Sequence, residues 1–366
     1  MLFGPWLPPA LHAQEKEALN QEGESKLFEI SNRSLSAYPY AYYTPETELA
    51  VGLGGIMTFY TASDEPELLP SKVILSGYYS TRGQYEFSQS SSLYFQNNDY
   101  FLEFPISFGS FVDKFWGFGN LTEDFEEVDY DVTEFEWGVT LEGVTPMENL
   151  TRDGFVYRGF WRDITDVKEN PELTEDLVGL EGGYSSGLGF DLVSDSRDHI
   201  FFPSTGIFQR LNFIWYAPFL GSKYRFTEVE WDLRRYFPMG DGDQVFAVQI
   251  LAQATFGETP FYSVPAMGGG NTMRGYYSGR YRDKTLFAGQ MEYRSPRWWR
   301  FGSVLFAGIG DVWGSPESDV SFSELKYSLG GGLRFLFDKE NNINLRVDLG
   351  FGRDSKGLYF GLEEAF

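Results

Sequence analysis

Apolar and polar residues alternate along most of this chain. The clearest stretch is 227–234, where every second residue is apolar and the residues between them are charged. Its apolar set is Val229, Trp231 and Leu233, and its charged set is Glu228, Glu230, Asp232 and Arg234. A second stretch, 343–351, predicts Ile343, Leu345, Val347, Leu349 and Phe351 on the outward face and Asn344, Arg346, Asp348 and Gly350 on the inward face. A period of two is typical of β-strands with one face towards lipid and the other towards water.

The same period marks about 16 segments, each near the roughly 9–11 residues that a tilted strand needs to cross a bilayer. The predicted strands are 35–42, 49–60, 73–81, 85–95, 100–108, 133–143, 155–162, 183–195, 209–216, 227–233, 246–256, 287–294, 301–312, 326–337, 343–351 and 358–366. Short turns such as 238–242 mostly alternate with long loops such as 257–284, as in bacterial barrels with both termini in the periplasm, although the predicted turn 62–70 is long. The pattern predicts an all-β fold, a transmembrane antiparallel β-barrel.

Composition and charge exclude several other classes of protein. Hydrophobic residues make up 42% of the 366 residues, too few for a bundle of membrane-spanning helices, and no apolar run reaches the length of such a helix. The net charge of −24 argues against a nucleic-acid partner. The absence of Cys excludes disulfides and thiol catalysis.

Acidic residues collect in two predicted outer loops. They are Glu123, Asp124, Glu126, Glu127, Asp129 and Asp131 in one loop, and Glu169, Glu172, Glu175 and Asp176 in the other. A plain solvated surface is favoured for these loops over contact with divalent ions or lipopolysaccharide.

The N-terminal end predicts a leader followed by a short segment. Residues 1–13 are predicted to be the remnant of a secretion signal that is cleaved after Ala13, and a disordered Pro-rich N-terminus is the alternative. Residues 14–33 form a short periplasmic segment and 34–366 form the barrel domain. We expect no enzymatic activity, metal site or cofactor, because the one His beyond the predicted cleavage, His199, lies in a predicted periplasmic turn.

A glycine-rich segment lies in the long loop 257–284. Gly268, Gly269 and Gly270 precede Arg274, Gly275 and Tyr276, and the next strand contains Gln290, Glu292, Tyr293 and Arg294. Glycines let a loop fold tightly, and an arginine in the loop can reach a carboxylate. The Arg-Gly-Tyr sequence resembles the sixth-loop motif of the bacterial surface antigen family, which includes BamA and TamA, and the strand resembles that family's Gln-x-Glu-Tyr-Arg pattern.

The resemblance implies that this loop folds into the lumen and that Arg274 pairs with Glu292. The alternative is an ordinary solvated Arg274. A further strand of the family usually carries an Asp at the position that Gly308 occupies here. The loop is therefore expected to depend on Glu292 alone or on Asp311.

Two further motifs resemble the same family. Asp195, Arg197 and Asp198, followed by Pro203 and Gly206, resemble its periplasmic turn, for which a generic polar hairpin is the alternative. Phe360, Leu362 and Phe366 resemble its C-terminal insertion signal, and Glu364 is expected to face lipid near the periplasmic rim.

The resemblance implies an outer-membrane protein that assists the insertion or translocation of other outer-membrane proteins through the seam between strands 35–42 and 358–366. Pro39 would weaken pairing there, because proline has no N–H to donate. Only residues 14–33 precede the first predicted strand, so a relative without polypeptide-transport-associated (POTRA) domains is expected. Expected partners are outer-membrane lipids, lipopolysaccharide, and unfolded outer-membrane proteins or an assembly complex. The alternatives are a passive pore and a structural barrel that anchors a larger envelope complex.

Overall fold

The computed structural model describes residues 31–44, 47–62, 67–122, 128–145, 151–165, 177–240, 243–315, 324–339 and 341–366. The predicted signal remnant, the segment 14–30 and most of the acidic loop residues lie outside these ranges.

Strands dominate the described chain, and their bounds follow the alternating pattern closely. They are β1 Ser31–Thr44, β2 Glu48–Tyr60, β3 Ser71–Ser80, β4 Tyr85–Phe95, β5 Tyr100–Phe115, β6 Val128–Val144, β7 Arg152–Thr165, β8 Gly183–Asp195, β9 Gly206–Tyr216, β10 Phe226–Met239, β11 Gln244–Gly257, β12 Ala266–Met267, β13 Tyr281–Arg282, β14 Thr285–Arg294, β15 Phe301–Trp313, β16 Lys326–Asp338, β17 Ile343–Gly352 and β18 Ser355–Leu362. A 3-10 turn, Pro218–Leu220, joins β9 to β10. No helix in the described ranges is long and apolar enough to cross a membrane.

Sixteen strands form one antiparallel sheet in which each strand pairs with the next along the chain. The two short strands β12 and β13 pair only with each other, inside the long loop between β11 and β14. The sheet curls into a barrel that brings β1 and β18 into contact. The predicted strand number and antiparallel order are confirmed.

The two faces of the strands differ as the alternation predicts. On β10 the side chain of Asp232 is buried inside the barrel, whereas Trp231 is exposed on the outer wall. Ile343, the first residue of β17, is an exception to the predicted outward face. It is completely buried against Ile56 and Phe201, because the β8–β9 turn folds over the periplasmic end of the barrel.

Two strands run further outward than the sequence predicts. The predicted strands 100–108 and 133–143 leave a long outer loop between them, but β5 continues to Phe115 and β6 begins at Val128. Phe261, from the long loop before β14, packs against Phe115, Val128 and Tyr130. This aromatic cover gives the extended strands an apolar partner on their inner face.

The long loop between β11 and β14 folds into the lumen. Its residues Met267, Met273 and Tyr276 are completely buried against the barrel wall. The wall residues of this cluster are Leu251, Leu286, Ala288 and Val312. The prediction of a lumenal loop is therefore confirmed, and we call residues 258–284 the lumenal loop.

Candidate functional site in the barrel lumen

Glycines let the lumenal loop approach the wall closely. At Gly268 the backbone has φ of +122°, and a Cβ there would lie 1.9 Å from the carbonyl oxygen of Tyr277. A Cβ on Gly275 would lie 2.5 Å from the backbone of Phe351 in β17. The loop backbone therefore rests directly on the sheet backbone, which a larger residue would prevent.

Arg274 projects from the loop into the wall and is 1% exposed. Its Nη1 donates to Asp348 Oδ2 at 2.6 Å, and its Nη2 donates to Glu292. The guanidinium carbon lies 3.7 Å from the ring centroid of Phe306. The structure thus brings Arg274 and Glu292 together, as the loop motif implied, and adds a second carboxylate from β17.

Asp311 does not take part in this arrangement. Its carboxylate accepts a hydrogen bond from the side-chain amide of Asn120 at 2.6 Å. Gly308, where the family usually has Asp, leaves room for the loop, because a Cβ at Gly308 would lie 2.9 Å from the sulfur of Met273. The expectation that Asp311 replaces the missing Asp is wrong, and Asp348 is the second partner.

Three further arginines surround the same carboxylates. Asp348 accepts from Arg334 Nη1 at 2.5 Å and from Arg346 Nη1 at 3.3 Å. Arg294 Nε lies 3.3 Å from Glu292 Oε2. With Arg274 these side chains form what we call the arginine cluster, whose described carboxylates are Glu292, Asp348 and Glu364. When one partner of an ion pair buried this deeply is removed, the remaining charge is left unpaired, and the folded protein is strongly destabilised.

Glu364 lies in the lumen, which corrects the expectation that it faces lipid. β18 ends at Leu362, and Glu363 turns the chain inward with φ of +64°. Arg334 Nε then donates to Glu364 Oε2 at 2.7 Å, and Asn344 donates to its other oxygen at 2.9 Å. Lipid offers a carboxylate no such partners, so the inward path is favoured.

Phe366 also lies inside the barrel. It packs against Phe202, Tyr236 and Val245 at the periplasmic end. Its backbone oxygen accepts a hydrogen bond from Arg294 Nη2 at 2.7 Å. The three residues of the predicted insertion signal therefore differ in position. Phe360 is exposed on the outer wall, and Leu362 is the last residue of β18. Phe366 is buried at the periplasmic end of the lumen.

Two tyrosines tie the loop to the last strands. The hydroxyl of Tyr359 in β18 accepts from the N–H of Gly275 and donates to the carbonyl of Tyr276, both at 2.9 Å. The hydroxyl of Tyr276 donates to the carbonyl of Tyr327 at 2.8 Å. Sequence reasoning missed Tyr359, although a large aromatic residue that falls on the lumenal face of β18 is a usable signal.

The β8–β9 turn is built by its own polar side chains. Asp195 pairs with Arg197 at 2.7 Å. Asp198 accepts from the backbone N–H groups of Ser204 at 2.8 Å and Thr205 at 3.1 Å. Burial alone would raise the pKa of Asp198, but these hydrogen bonds and one from the Ser204 hydroxyl hold its pKa below the usual value.

The same turn is tied to the arginine cluster. Arg294 Nη1 donates to the carbonyl of Pro203 at 3.2 Å, and Arg294 also contacts Glu292. Gly206 starts β9 with φ of +100°, and a Cβ there would lie 2.1 Å from the carbonyl of Ser196. The predicted turn residues therefore form a floor at the periplasmic end of the lumen.

A set of contacts crosses the seam between β1 and β18 on the lumenal side. Lys72 on β3 pairs with Glu363 at 2.7 Å. The side-chain amide of Asn341, in the β16–β17 turn, donates to Thr58 on β2 at 3.0 Å. We call these four residues the seam clasp. The contacts between these residues pass over β1. They were not predicted, because a period-two pattern does not reveal which strands meet across a closed barrel.

A second buried ion network lies on another part of the wall. Arg210 on β9 contacts Glu142 on β6 and Asp191 on β8, both at 2.9 Å. Arg152 on β7 contacts the other oxygen of Glu142 at 2.8 Å. These contacts join strands to strands, whereas the arginine cluster joins the loop to strands.

Comparison with known proteins agrees with this architecture. A family model described as the Omp85 superfamily domain matches residues 72–362. The fold is similar to BamA from Haemophilus ducreyi lacking POTRA domains 1–3, with a TM-score of 0.58 and 14% identity over 99% of this chain and 80% of that chain.

The fold is also similar to CdiB from Acinetobacter baumannii, with a TM-score of 0.55 and 11% identity, and to CdiB from Escherichia coli, with a TM-score of 0.55 and 12% identity. Each comparison covers 90% of this chain, but only 59% and 62% of the respective CdiB chains. Because the family model spans most of the sequence, the chain belongs to the Omp85 superfamily of bacterial outer-membrane β-barrels.

Proposed function

We propose that this barrel assists the insertion or translocation of outer-membrane proteins by opening the seam between β1 and β18. The observation that carries the proposal is the mismatch in strand length at the seam. β1 has 14 residues and β18 has 8, after which the chain leaves the sheet at Glu363. Eight residues do not pair with all of β1, and an unpaired strand edge recruits other strands.

The seam is held by contacts that are individually weak. Lys72 and Glu363 are both partly exposed, and such ion pairs contribute roughly 0.2–1 kcal/mol. Pro39 lies in the middle of β1 and has no N–H to give to a neighbouring strand. A seam closed by the clasp instead of a full-length ladder opens without unfolding the remaining sheet.

An engineered disulfide between β1 and β18 tests this proposal. The chain has no Cys, so a pair of new cysteines forms a single crosslink. We expect the oxidised protein to lose the ability to promote insertion of a substrate barrel into vesicles, and to regain it on reduction. In cells, oxidation should reproduce the change in the outer-membrane proteome that deletion causes.

The matched control is a disulfide between β2 and β3. Val51 and Tyr79 are paired neighbours with exposed side chains, so V51C with Y79C staples two strands that the proposal leaves paired. This variant should keep its activity when oxidised. Full activity of the protein stapled between β1 and β18 would exclude a seam mechanism.

A passive pore is the second candidate, and the acidic lumenal wall favours it. Five acids share the inward-facing register of β4, β6 and β10, namely Glu86, Glu134, Glu136, Glu228 and Glu230. Arg162 pairs with Glu134 and Glu136, and Arg158 pairs with Glu228, so this set keeps an excess of negative charge. An acidic wall attracts cations into an aqueous path. A conductance measurement on the purified barrel tests this candidate independently of the seam.

A further inference from the structure

The periplasmic turn between β14 and β15 presents two tryptophans to the outside. Trp298 is 81% exposed and Trp299 is 69% exposed. The turn is ordered by paired backbone hydrogen bonds, from Trp298 N–H to Phe301 O at 2.8 Å and from Phe301 N–H to Trp298 O at 3.0 Å. Trp299 has φ of +56°, a conformation that bulky residues rarely adopt. Local order and strain therefore hold two large apolar rings away from the barrel interior.

The tryptophans continue the lipid-facing surface of the barrel. The ring of Trp299 lies 5.8 Å from that of Phe301, which lies 5.3 Å from the ring of Phe335 on β16. Phe301 is exposed on the outer wall. The turn thus extends an outward aromatic patch beyond the periplasmic ends of the strands.

Two other periplasmic turns have a different chemistry. The β4–β5 turn, 96–99, is Gln-Asn-Asn-Asp, and the described part of the β16–β17 turn contains Lys339, Asn341 and Asn342. These polar and charged side chains are readily hydrated. The β8–β9 turn does contain Phe201 and Phe202, but both are buried, so the exposure of Trp298 and Trp299 sets the β14–β15 turn apart from these three turns.

A cation accompanies the aromatic patch. The Arg300 guanidinium carbon lies 5.9 Å from the Trp299 ring and 5.8 Å from the Phe335 ring. Arg297 is directed elsewhere, since its Nε donates to Asp243 at 2.7 Å and its guanidinium lies over Phe202 in the barrel floor. Arg297 thus contacts the neighbouring β10–β11 and β8–β9 turns, whereas Arg300 lies beside the tryptophans and donates from Nη1 to the carbonyl of Leu336 at 3.4 Å.

We propose that this turn is a phospholipid-binding anchor on the periplasmic leaflet of the outer membrane. Trp298 and Trp299 enter the boundary between headgroups and acyl chains, where the amphipathic indole ring is favoured. Arg300 binds the phosphate of an anionic headgroup, which its planar donors suit. The anchor fixes the depth of β14 and β15, the strands that carry Glu292 and Phe306 of the loop site.

Tryptophan fluorescence in vesicles tests the position of the two rings. The chain has nine Trp residues, so the spectrum of W298F/W299F is subtracted from that of the unchanged protein to isolate the pair. We expect this difference signal to be quenched by phospholipids brominated near the carbonyl end of the acyl chain and to be protected from aqueous iodide. Quenching by iodide without quenching by brominated lipid would overturn the proposal and indicate a surface for a periplasmic protein.

Retention of phosphatidylglycerol tests the role of Arg300. Native mass spectrometry of the barrel released from mixed phosphatidylethanolamine and phosphatidylglycerol should show about fivefold weaker binding of phosphatidylglycerol by R300Q. R297Q is the matched control, because it removes a neighbouring cation that points away from the patch, and it should bind as the unchanged protein does. If the unchanged protein, R300Q and R297Q all retain phosphatidylglycerol equally, Arg300 does not bind the headgroup. Heat-modifiable gel mobility confirms that each variant is folded.

Discussion

Asp348 is the residue on which the loop site depends most. Its two oxygens accept hydrogen bonds from Arg274, Arg334 and Arg346. The alternation along β17 places Asp348 on the inward face, but it does not show which inward carboxylate Arg274 reaches. That choice depends on the stagger between strands and on the path of the loop, neither of which follows from a period of two.

Replacing Asp348 by Asn should destabilise the barrel and release the lumenal loop. D348N leaves three buried guanidinium groups without this carboxylate, and loss of one buried partner lowers the free energy of unfolding by roughly 3–5 kcal/mol. Urea unfolding in lipid vesicles measures the stability. Limited proteolysis within 258–284 measures release of the loop.

E142Q provides the control for this prediction. Glu142 is as buried as the cluster carboxylates and contacts Arg152 and Arg210, but it does not touch the loop. E142Q should therefore lower stability while the loop keeps its resistance to protease. If D348N also keeps a resistant loop, the arginine cluster stabilises the wall without locking the loop.

At the scale of elements, the β8–β9 turn contains a histidine whose pKa is lowered in the folded protein. His199 Nδ1 accepts hydrogen bonds from the N–H groups of Phe201 at 3.1 Å and Phe202 at 3.2 Å. Burial lowers the pKa of His199, the neighbouring Asp198 opposes this shift, and Arg197 and Arg297 reinforce it. The folded turn therefore favours the neutral imidazole, whose Nδ1 lone pair the two N–H groups require.

The turn should lose stability as the pH falls. Because the folded pKa of His199 lies below the unfolded value of about 6.5, its contribution is complete above that pH and is lost as the pH falls through the folded pKa. Asp198 stays ionised over this range, since its own pKa is lowered. Protection factors of the Phe201 and Phe202 amides against hydrogen exchange should be constant above a pH of about 6.5 and should fall as the pH is lowered below it.

H199N separates this effect from general acid sensitivity. An Asn side-chain oxygen replaces Nδ1 as an acceptor and does not titrate, so the protection of both amides should become independent of pH. Equal loss of protection in H199N and in the unchanged protein would assign the pH dependence to another group.

The ends of the strands show the limit of the alternating pattern. Leu358, Phe360 and Leu362 recur at every second position, and Phe366 falls in the same register. In the structure β18 ends at Leu362, because Glu364 forms an ion pair with Arg334 inside the lumen and Phe366 packs against Phe202. Neither partner is near in sequence, so the inward turn at Glu363 was not predictable from local pattern alone.

At the scale of the whole molecule, the sequence was most informative about features that can be recognised within a single strand. Alternation predicts all 16 barrel strands, since every strand has one face in lipid and one in the lumen. Glycines at 268–270 and Arg274 predict the lumenal loop. The seam clasp and the lumenal floor join residues such as Lys72 and Glu363 that are far apart in sequence, and only the closed barrel brings them together.

The arrangement of the lumen predicts how the barrel conducts ions. The lumenal loop fills the side of β14–β18, where Tyr276 and Tyr359 bind one another, whereas the wall of β4, β6 and β10 is acidic. The unchanged protein in a planar bilayer should therefore pass small, cation-selective currents. D348N should pass larger and less steady currents because the loop is released, and E142Q should conduct as the unchanged barrel does. A large, steady current through the unchanged protein would show that the loop does not obstruct the lumen, and would favour the passive pore over the seam as the route through this molecule.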